Sequence, residues 1–254
     1  MKVVFIGAGN LATRLSLEMR KAGMDIVQIY SHTEEHAQQL AEGLRCAWTT
    51  SLDAIVSDAD LYVFSLKDAV LKEVIAQVKP NDGLWVHTAG SMPVSVFEGF
   101  AKRYGVIYPL QTFSKHREVD FKKIPFFLEV NASEDERVLG DVAKAISCDV
   151  RFLSSEKRKQ LHLAAVFACN FTNHIYALAS KLLENNEIPS EVLLPLIDET
   201  AAKVHEMKPA DAQTGPAIRY DVNVINKHME MLDDPDMREI YKLLSQSIHK
   251  EATR

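Results

Sequence analysis

The stretch KVVFIGAGNLA, residues 2–12, decides how the rest of the chain is read. An unbroken apolar run ended by glycine is what a parallel strand buried on both faces requires. Leu11, Leu15 and Met19 then recur at helical spacing until Gly23 stops the pattern. The turn between strand and helix carries Gly7-x-Gly9-x-x-Ala12. Gly7 permits a tight exit from the strand, Gly9 lets backbone approach a pyrophosphate, and Ala12 lets the helix pack closely on the sheet. A helix opening on such a turn favours anions through its free N–H groups and its dipole. Many proteins carry these three small residues by chance, but here they follow the first strand and open a helix inside a βαβ unit. Gly7, Gly9, Asn10 and Leu11 are therefore the first candidate cofactor-binding residues.

Working outward, strand and helix patterns alternate. DIVQIYS (25–31), DLYVFSL (60–66), GLWVHTA (83–89), YGVIYPL (104–110), IPFFLEV (124–130) and DVRFL (149–153) read as strands. EEHAQQLAEGL (34–44), KEVIAQV (72–78) and SEDERVLGDVAKAI (133–146) read as helices, the last with Ser133 as N-cap and Glu136 completing a capping box. Alternation with right-handed crossovers predicts a doubly wound, Rossmann-like α/β sheet over residues 1–154. Beyond it strand signals vanish. Residues 154–188 run as one long helical pattern, 190–207 as a helix kinked at Pro195, and 221–232 and 234–252 as two more, the last capped by Asp234 with Pro235 at its first position. A smaller all-α domain is expected over residues 155–254.

Composition limits what such a fold does. Of 254 residues, 29 are Lys or Arg and 35 are Asp or Glu, a net charge of −6 without a basic run, which argues against nucleic acid as partner. No segment approaches the roughly 20 apolar residues of a membrane span. Three cysteines, Cys46, Cys148 and Cys169, without a C-x-x-C pair, suit free thiols in a reducing compartment, and the expected location is cytoplasmic. SHTEEH (31–36) contains the H-x-x-E-H pattern of some zinc enzymes, but His32 falls in the loop after a strand, and no metal is expected.

The remaining candidates lie on the carboxyl edge of the sheet, where open α/β folds bind their ligands, and in the helices. A carboxylate at the end of the second strand would grip the ribose of NAD, yet Tyr30, Ser31, His32 and Thr33 stand there. Ser31, His32 and Thr33 offer donors to a 2′-phosphate, so NADP is favoured over NAD. Ser65 and Leu66, at the end of the third predicted strand, complete the cofactor set. In HTAGSMP (87–93), Ser91 and the amides around Gly90 suit a substrate anion; in YPLQTFS (108–114), Gln111 and Thr112 add hydrogen bonds; the plain alternative for each is turn chemistry. His87 reads as a hydrogen-bonded, inert strand-end residue. On a straight helix His162, Cys169 and Asn173 nearly eclipse, with Asn170 about 80° round the same side. His162 is the candidate proton donor and Asn170 the orienting residue; the bland alternative is a core histidine with one partner. In QTGPAIRYD (213–221), Arg219 and Asp221 either bind an anion or pair with each other.

Taken together, GAGNLA, HTAGS, YPLQTFS, the helix with His162 and Asn170, and TGPAIRYD followed by His228 resemble the NADP oxidoreductases that join a Rossmann-like domain to a C-terminal domain of unknown function, number 2520. More distantly the chain is similar to 6-phosphogluconate, ketopantoate and pyrroline-carboxylate reductases. The resemblance implies cofactor binding by Gly7, Gly9 and Asn10, a cleft and a dimer formed by the helical domain, and His162, Asn170, Thr214, Gly215, Arg219 and Asp221 as the family-typical polar set. Members often carry Arg where His32 stands and Gly where Tyr220 stands. The expected function is NADP-dependent hydride transfer to or from a small carbonyl, imine or hydroxy acid at the interdomain cleft of a homodimer; the alternative is a non-catalytic NADP-binding redox sensor or scaffold.

Overall fold

In the computed structural model, which describes residues 1–254, the first strand is covered on both faces: in β1 (Lys2–Ile6), Val3, Val4, Phe5 and Ile6 are each 0% exposed. Neighbouring side chains of a strand point to opposite faces, and each face of β1 meets its own core. Val3 and Phe5 join Leu15 and Met19 of α1 (Asn10–Lys21), Leu40 of α2 (Glu34–Leu44) and Leu139 of α4 (Glu134–Ile146). Val4 and Ile6 join Tyr62, Phe64, Trp85, Phe97 and, from α3 (Asp68–Gln77), Leu71 and Ile75.

The other strands are β2 (Asp25–Tyr30), β3 (Ala47–Thr49), β4 (Leu61–Phe64), β5 (Leu84–His87), β6 (Tyr104–Pro109), β7 (Pro125–Val130) and β8 (Asp149–Phe152). They form one sheet in the order β3-β2-β1-β4-β5-β6-β7-β8. Every neighbouring pair is parallel except β6 and β7. The doubly wound architecture read from the sequence is the one observed. The order reverses between β1 and β4, which makes their carboxyl ends the switch point where ligands bind in such sheets.

Local details differ. β3 was not anticipated: it is three residues long, pairs only with β2 at the sheet edge, and lacks any alternation in CAWTT. Ser133 occupies the N-cap place of α4 but has helical dihedrals (φ −62°, ψ −27°), so its hydroxyl caps nothing and the capping box is absent. Pro195 does not kink a helix; it sits in the first turn of α7 (Leu194–Glu206), where its missing N–H costs nothing. The long pattern after Ser154 is α5 (Ser155–Ala165), a π-helical stretch at Val166–Phe171, and α6 (Thr172–Glu184).

Two compact units result, Met1–Asn170 and Phe171–Arg254, so α5 goes with the sheet although strands end at Phe152. The second unit holds α6, α7, the single turn α8 (Pro216–Arg219), α9 (Val222–Glu230) and α10 (Pro235–Ala252). Asp234 caps α10 as expected, accepting from the backbone N–H groups of Asp236 and Met237. No residue of α6 or α7 is buried.

Trp85 is the largest fully buried side chain and touches Tyr62, Phe64 and Phe97 with centroids 5.0–6.2 Å apart. Trp85→Ala is expected to lower unfolding free energy by about 3–5 kcal/mol; the denaturant midpoint and slope check this.

Candidate active site

The turn after β1 is shaped by its neighbour. Gly7 has φ +121°, its N–H donates to the Tyr30 carbonyl at 2.8 Å, and a Cβ there would lie 2.2 Å from the Ser65 carbonyl oxygen. No side chain other than hydrogen fits. Gly9 is the N-cap of α1; no side chain caps the helix, its first turn holds no acidic residue, and a Cβ at Gly9 would meet nothing within 4 Å. This open, uncapped N-terminus suits a pyrophosphate, so the residues present fit a dinucleotide. Asn10 secures the site from the side: its Nδ2 donates to the Phe113 carbonyl at 3.0 Å, tying α1 to the loop after β6. Leu11 packs against the α1 side of the core and Leu66 against the other.

At the end of β2, Ser31 is buried and its Oγ accepts from the Thr33 N–H at 3.2 Å. It frames the corner. His32 and Thr33 occupy its outer side, with His32 Nε2 3.1 Å from Thr33 Oγ1. No carboxylate stands at the strand end itself; Glu34 and Glu35 follow in the first turn of α2, both exposed.

From Gly7 a line of contacts runs along the sheet edge. Ser65 follows β4, and Thr88, which follows β5, donates its hydroxyl to Ser65 Oγ at 3.3 Å. Two residues on, Gly90 lies against His162: a Cβ at Gly90 would come within 2.6 Å of His162 Nδ1. That nitrogen is 3.0 Å from the Tyr108 hydroxyl of β6, the two rings meeting edge to face. Ser91 donates its hydroxyl to the Asp68 carboxylate at the start of α3. Thus strands β1, β4, β5 and β6 each deliver one piece to a common edge, and α5 places His162 over it.

Arg158, one turn before His162, holds α5 there. It is 0% exposed, pairs with Glu129 of β7, and donates to the Met92 carbonyl and to Ser155 Oγ. Ser155 Oγ also accepts from the Val94 N–H at 2.9 Å and donates to Glu129 at 2.7 Å. Burial pushes the Tyr108 phenol up, partly opposed by the Arg158 charge.

The structure brings Gly90 and His162, two separate candidates of the sequence, into contact. Beyond His162 the helix passes into a π-helical stretch at Val166–Phe171, in which Cys169 is half-buried and Asn170 is exposed. Gln111 and Thr112 are exposed beyond β6, where the Gln111 side chain accepts from the Thr112 N–H at 2.8 Å. In the second unit, Asp221 is the N-cap of α9, accepting from the Val224 N–H, while Thr214 and Arg219 are exposed on and before α8. Tyr108, Asp68 and Thr88 were missed as individual residues. Tyr108 and Thr88 stood inside the quoted motifs, whereas Asp68 carried no signal beyond that of an acidic residue near a helix start.

Two family profiles match the sequence: "NADP oxidoreductase coenzyme F420-dependent" over residues 2–88 and "Domain of unknown function (DUF2520)" over residues 124–248. Among solved structures, the candidate NADP oxidoreductase BF3122 from Bacteroides fragilis is 53% identical, with TM-score 0.93 and 98% of each chain covered. The protein TM1727 from Thermotoga maritima is 21% identical (TM-score 0.79; 99% of this chain and 100% of that one). An imine reductase from Myxococcus stipitatus in complex with NADP+ is 14% identical (TM-score 0.65; 98% and 92%). These last two share the fold. No curated protein matches the sequence.

His87, at the end of β5, yields the prediction of this section. It is 0% exposed; Nδ1 accepts from the Ala89 N–H at 3.2 Å, which leaves Nε2–H to donate to the Pro93 carbonyl at 3.3 Å. Burial first, and the Arg158 charge second, push the imidazole from 6.5 down to about 3. The unfolded chain therefore takes up a proton that the native chain refuses. Stability from this group is full above pH 6.5 and falls on acidification toward about pH 3, by about 1.4 kcal/mol per pH unit. His87→Gln is expected to flatten that slope by one proton in unfolding free energy measured against pH.

Proposed function

Because the chain belongs to the NADP oxidoreductase family that joins this N-terminal domain to a DUF2520 domain, we propose that it transfers hydride between NADP(H) and the carbon of a small imine, carbonyl or hydroxy acid. The observation that carries the reading is the unbroken line from Gly7 through Ser65, Thr88 and Gly90 to His162. Strands lie about 4.8 Å apart, so the edge from β2 to β6 spans about 19 Å. Its β2 end offers the Ser31, His32 and Thr33 corner, its middle the uncapped α1, and its β6 end His162. The bound dinucleotide supplies the hydride. His162 supplies a proton to the reacting oxygen or nitrogen, Asn170 two turns on orients the substrate, and Gly90 and Ser91, backed by Asp68, bound the site.

The 2′-phosphate form is preferred because a strand-end carboxylate, which would repel that phosphate, is missing at β2. The name of the Myxococcus stipitatus protein, an imine reductase holding NADP+, is consistent with both parts of the proposal. We propose a homodimer, because α6 and α7 bury nothing while Val192, Leu194 and Leu196 are 59%, 55% and 63% exposed.

His162→Ala is expected to leave NADPH binding intact, read by nicotinamide fluorescence, while reducing turnover of whichever cyclic imine or ketone a substrate panel identifies by about 10²–10⁴-fold. Unchanged turnover would remove His162 from the chemistry, and equal affinity for NADH and NADPH would remove the 2′-phosphate corner. Leu196→Asp is expected to halve the mass seen by solution scattering; a wild-type chain already monomeric overturns the dimer.

A further inference from the structure

We infer that Tyr108 locks His162 as the tautomer with its proton on Nε2, so that the solvent-facing nitrogen is a hydrogen donor and the site receives a substrate lone pair. The inference rests on the preceding reading of His162 and deepens it.

Tyr108 is 8% exposed and fixed by a small cluster with Val106 and Phe127, against which Val94, Leu110, Leu153 and Leu161 pack. Its backbone pairs with Phe127 across the antiparallel β6–β7 ladder, so the ring has little freedom. The hydroxyl has one protein partner, His162 Nδ1 at 3.0 Å. The same side of the imidazole is closed by Gly90, whose absent Cβ would lie 2.6 Å from Nδ1 and 2.7 Å from Cγ. Nε2 makes no hydrogen bond in the protein, and it is not among the buried atoms left without one, so it opens to solvent. One ring edge is sealed and the other is free.

A phenol in this environment keeps its proton and must place it. Nδ1 is the acceptor in reach, and when Nδ1 accepts, the proton of a neutral imidazole resides on Nε2. The opposite tautomer would make the hydroxyl oxygen an acceptor and leave a buried O–H donor without a partner, which is the costly arrangement. If the ring gains a second proton, Nδ1–H donates to the hydroxyl and Nε2 still carries hydrogen. In both states the free nitrogen donates. The group that fits it is the oxygen of C=O or the nitrogen of C=N, and the resting site is set for reduction of that bond. Tyr108 acts through His162 and is a positioning residue.

The test uses the full chain labelled with [15N]histidine, without substrate, above about pH 8, where ordinary imidazoles are neutral. Two-bond 1H–15N spectra, with His162 assigned from the signals lost in His162→Gln, are expected to show Nδ1 unprotonated and Nε2 protonated. In Tyr108→Phe both nitrogens should move toward an averaged position, with far-UV circular dichroism unchanged, and kcat should fall on the order of tenfold with little change in KM. A protonated Nδ1 in the wild type, or superimposable wild-type and Tyr108→Phe spectra, overturns the inference. Because the spectra need no turnover, the expected spectra with undiminished catalysis by His162→Gln would sink the hydride-transfer role of His162 and leave the tautomer lock standing.

Discussion

The passage of Gly7 beneath the Ser65 carbonyl is the constraint on which the architecture turns. β1 and β4 are neighbours in the sheet although far apart in sequence, because the chain winds outward through β2 and β3 and must return to the other side of β1. The two strands therefore release their chains at the same point. Room for both exists only because residue 7 has no side chain and adopts φ +121°. The same turn aims α1 with its uncapped N-terminus at the shared edge, so one steric solution fixes strand order, helix direction and the place of that N-terminus together.

A second fixed point lies at the other end of the edge. Burying the Arg158 guanidinium is costly unless its partners are complete, and here Glu129, Ser155 and the Met92 carbonyl come from β7, α5 and the loop after β5. Its Nε alone is left without a partner. Three elements distant in sequence are thereby joined around one charge. The imidazoles on either side are treated differently: His87 is enclosed with both nitrogens engaged and is held uncharged, whereas His162 keeps one nitrogen open. The contrast between an enclosed ring and one with an open nitrogen is not visible in sequence position.

What the sequence disclosed follows from the range of the forces involved. The apolar strands and the Asp234 cap rest on local pattern and contacts, and the β1 turn, though shaped by Ser65 and Tyr30, leaves its mark in closely spaced glycines, so all are visible in residue type and spacing. The edge strand β3 escaped notice because three residues paired on one side carry too little pattern. The Ser133 capping box failed because side-chain choice cannot guarantee that the N-cap residue leaves helical dihedrals. The π stretch at Val166–Phe171 has no compositional mark either. The partnership of Tyr108 with His162 spans 54 positions and depends on β6 lying beneath α5, a tertiary fact.

Tyr220 shows how a strained turn is supported. It has φ 51° and ψ 49°, the left-handed conformation in which glycine is at ease and other residues pay roughly 1–2 kcal/mol. Glycine there would avoid that strain. In this chain the ring of Tyr220 stacks on His249 of α10 with centroids 4.4 Å apart and planes 24° from parallel, a contact that contributes about 0.5–1.5 kcal/mol. The two terms are of the same size. The turn they stabilise matters locally, because Asp221, the next residue, caps α9 through the Val224 N–H. The ring of Tyr220 thus ties α8 to α10, and a left-handed turn is kept without glycine because an aromatic partner stands within reach.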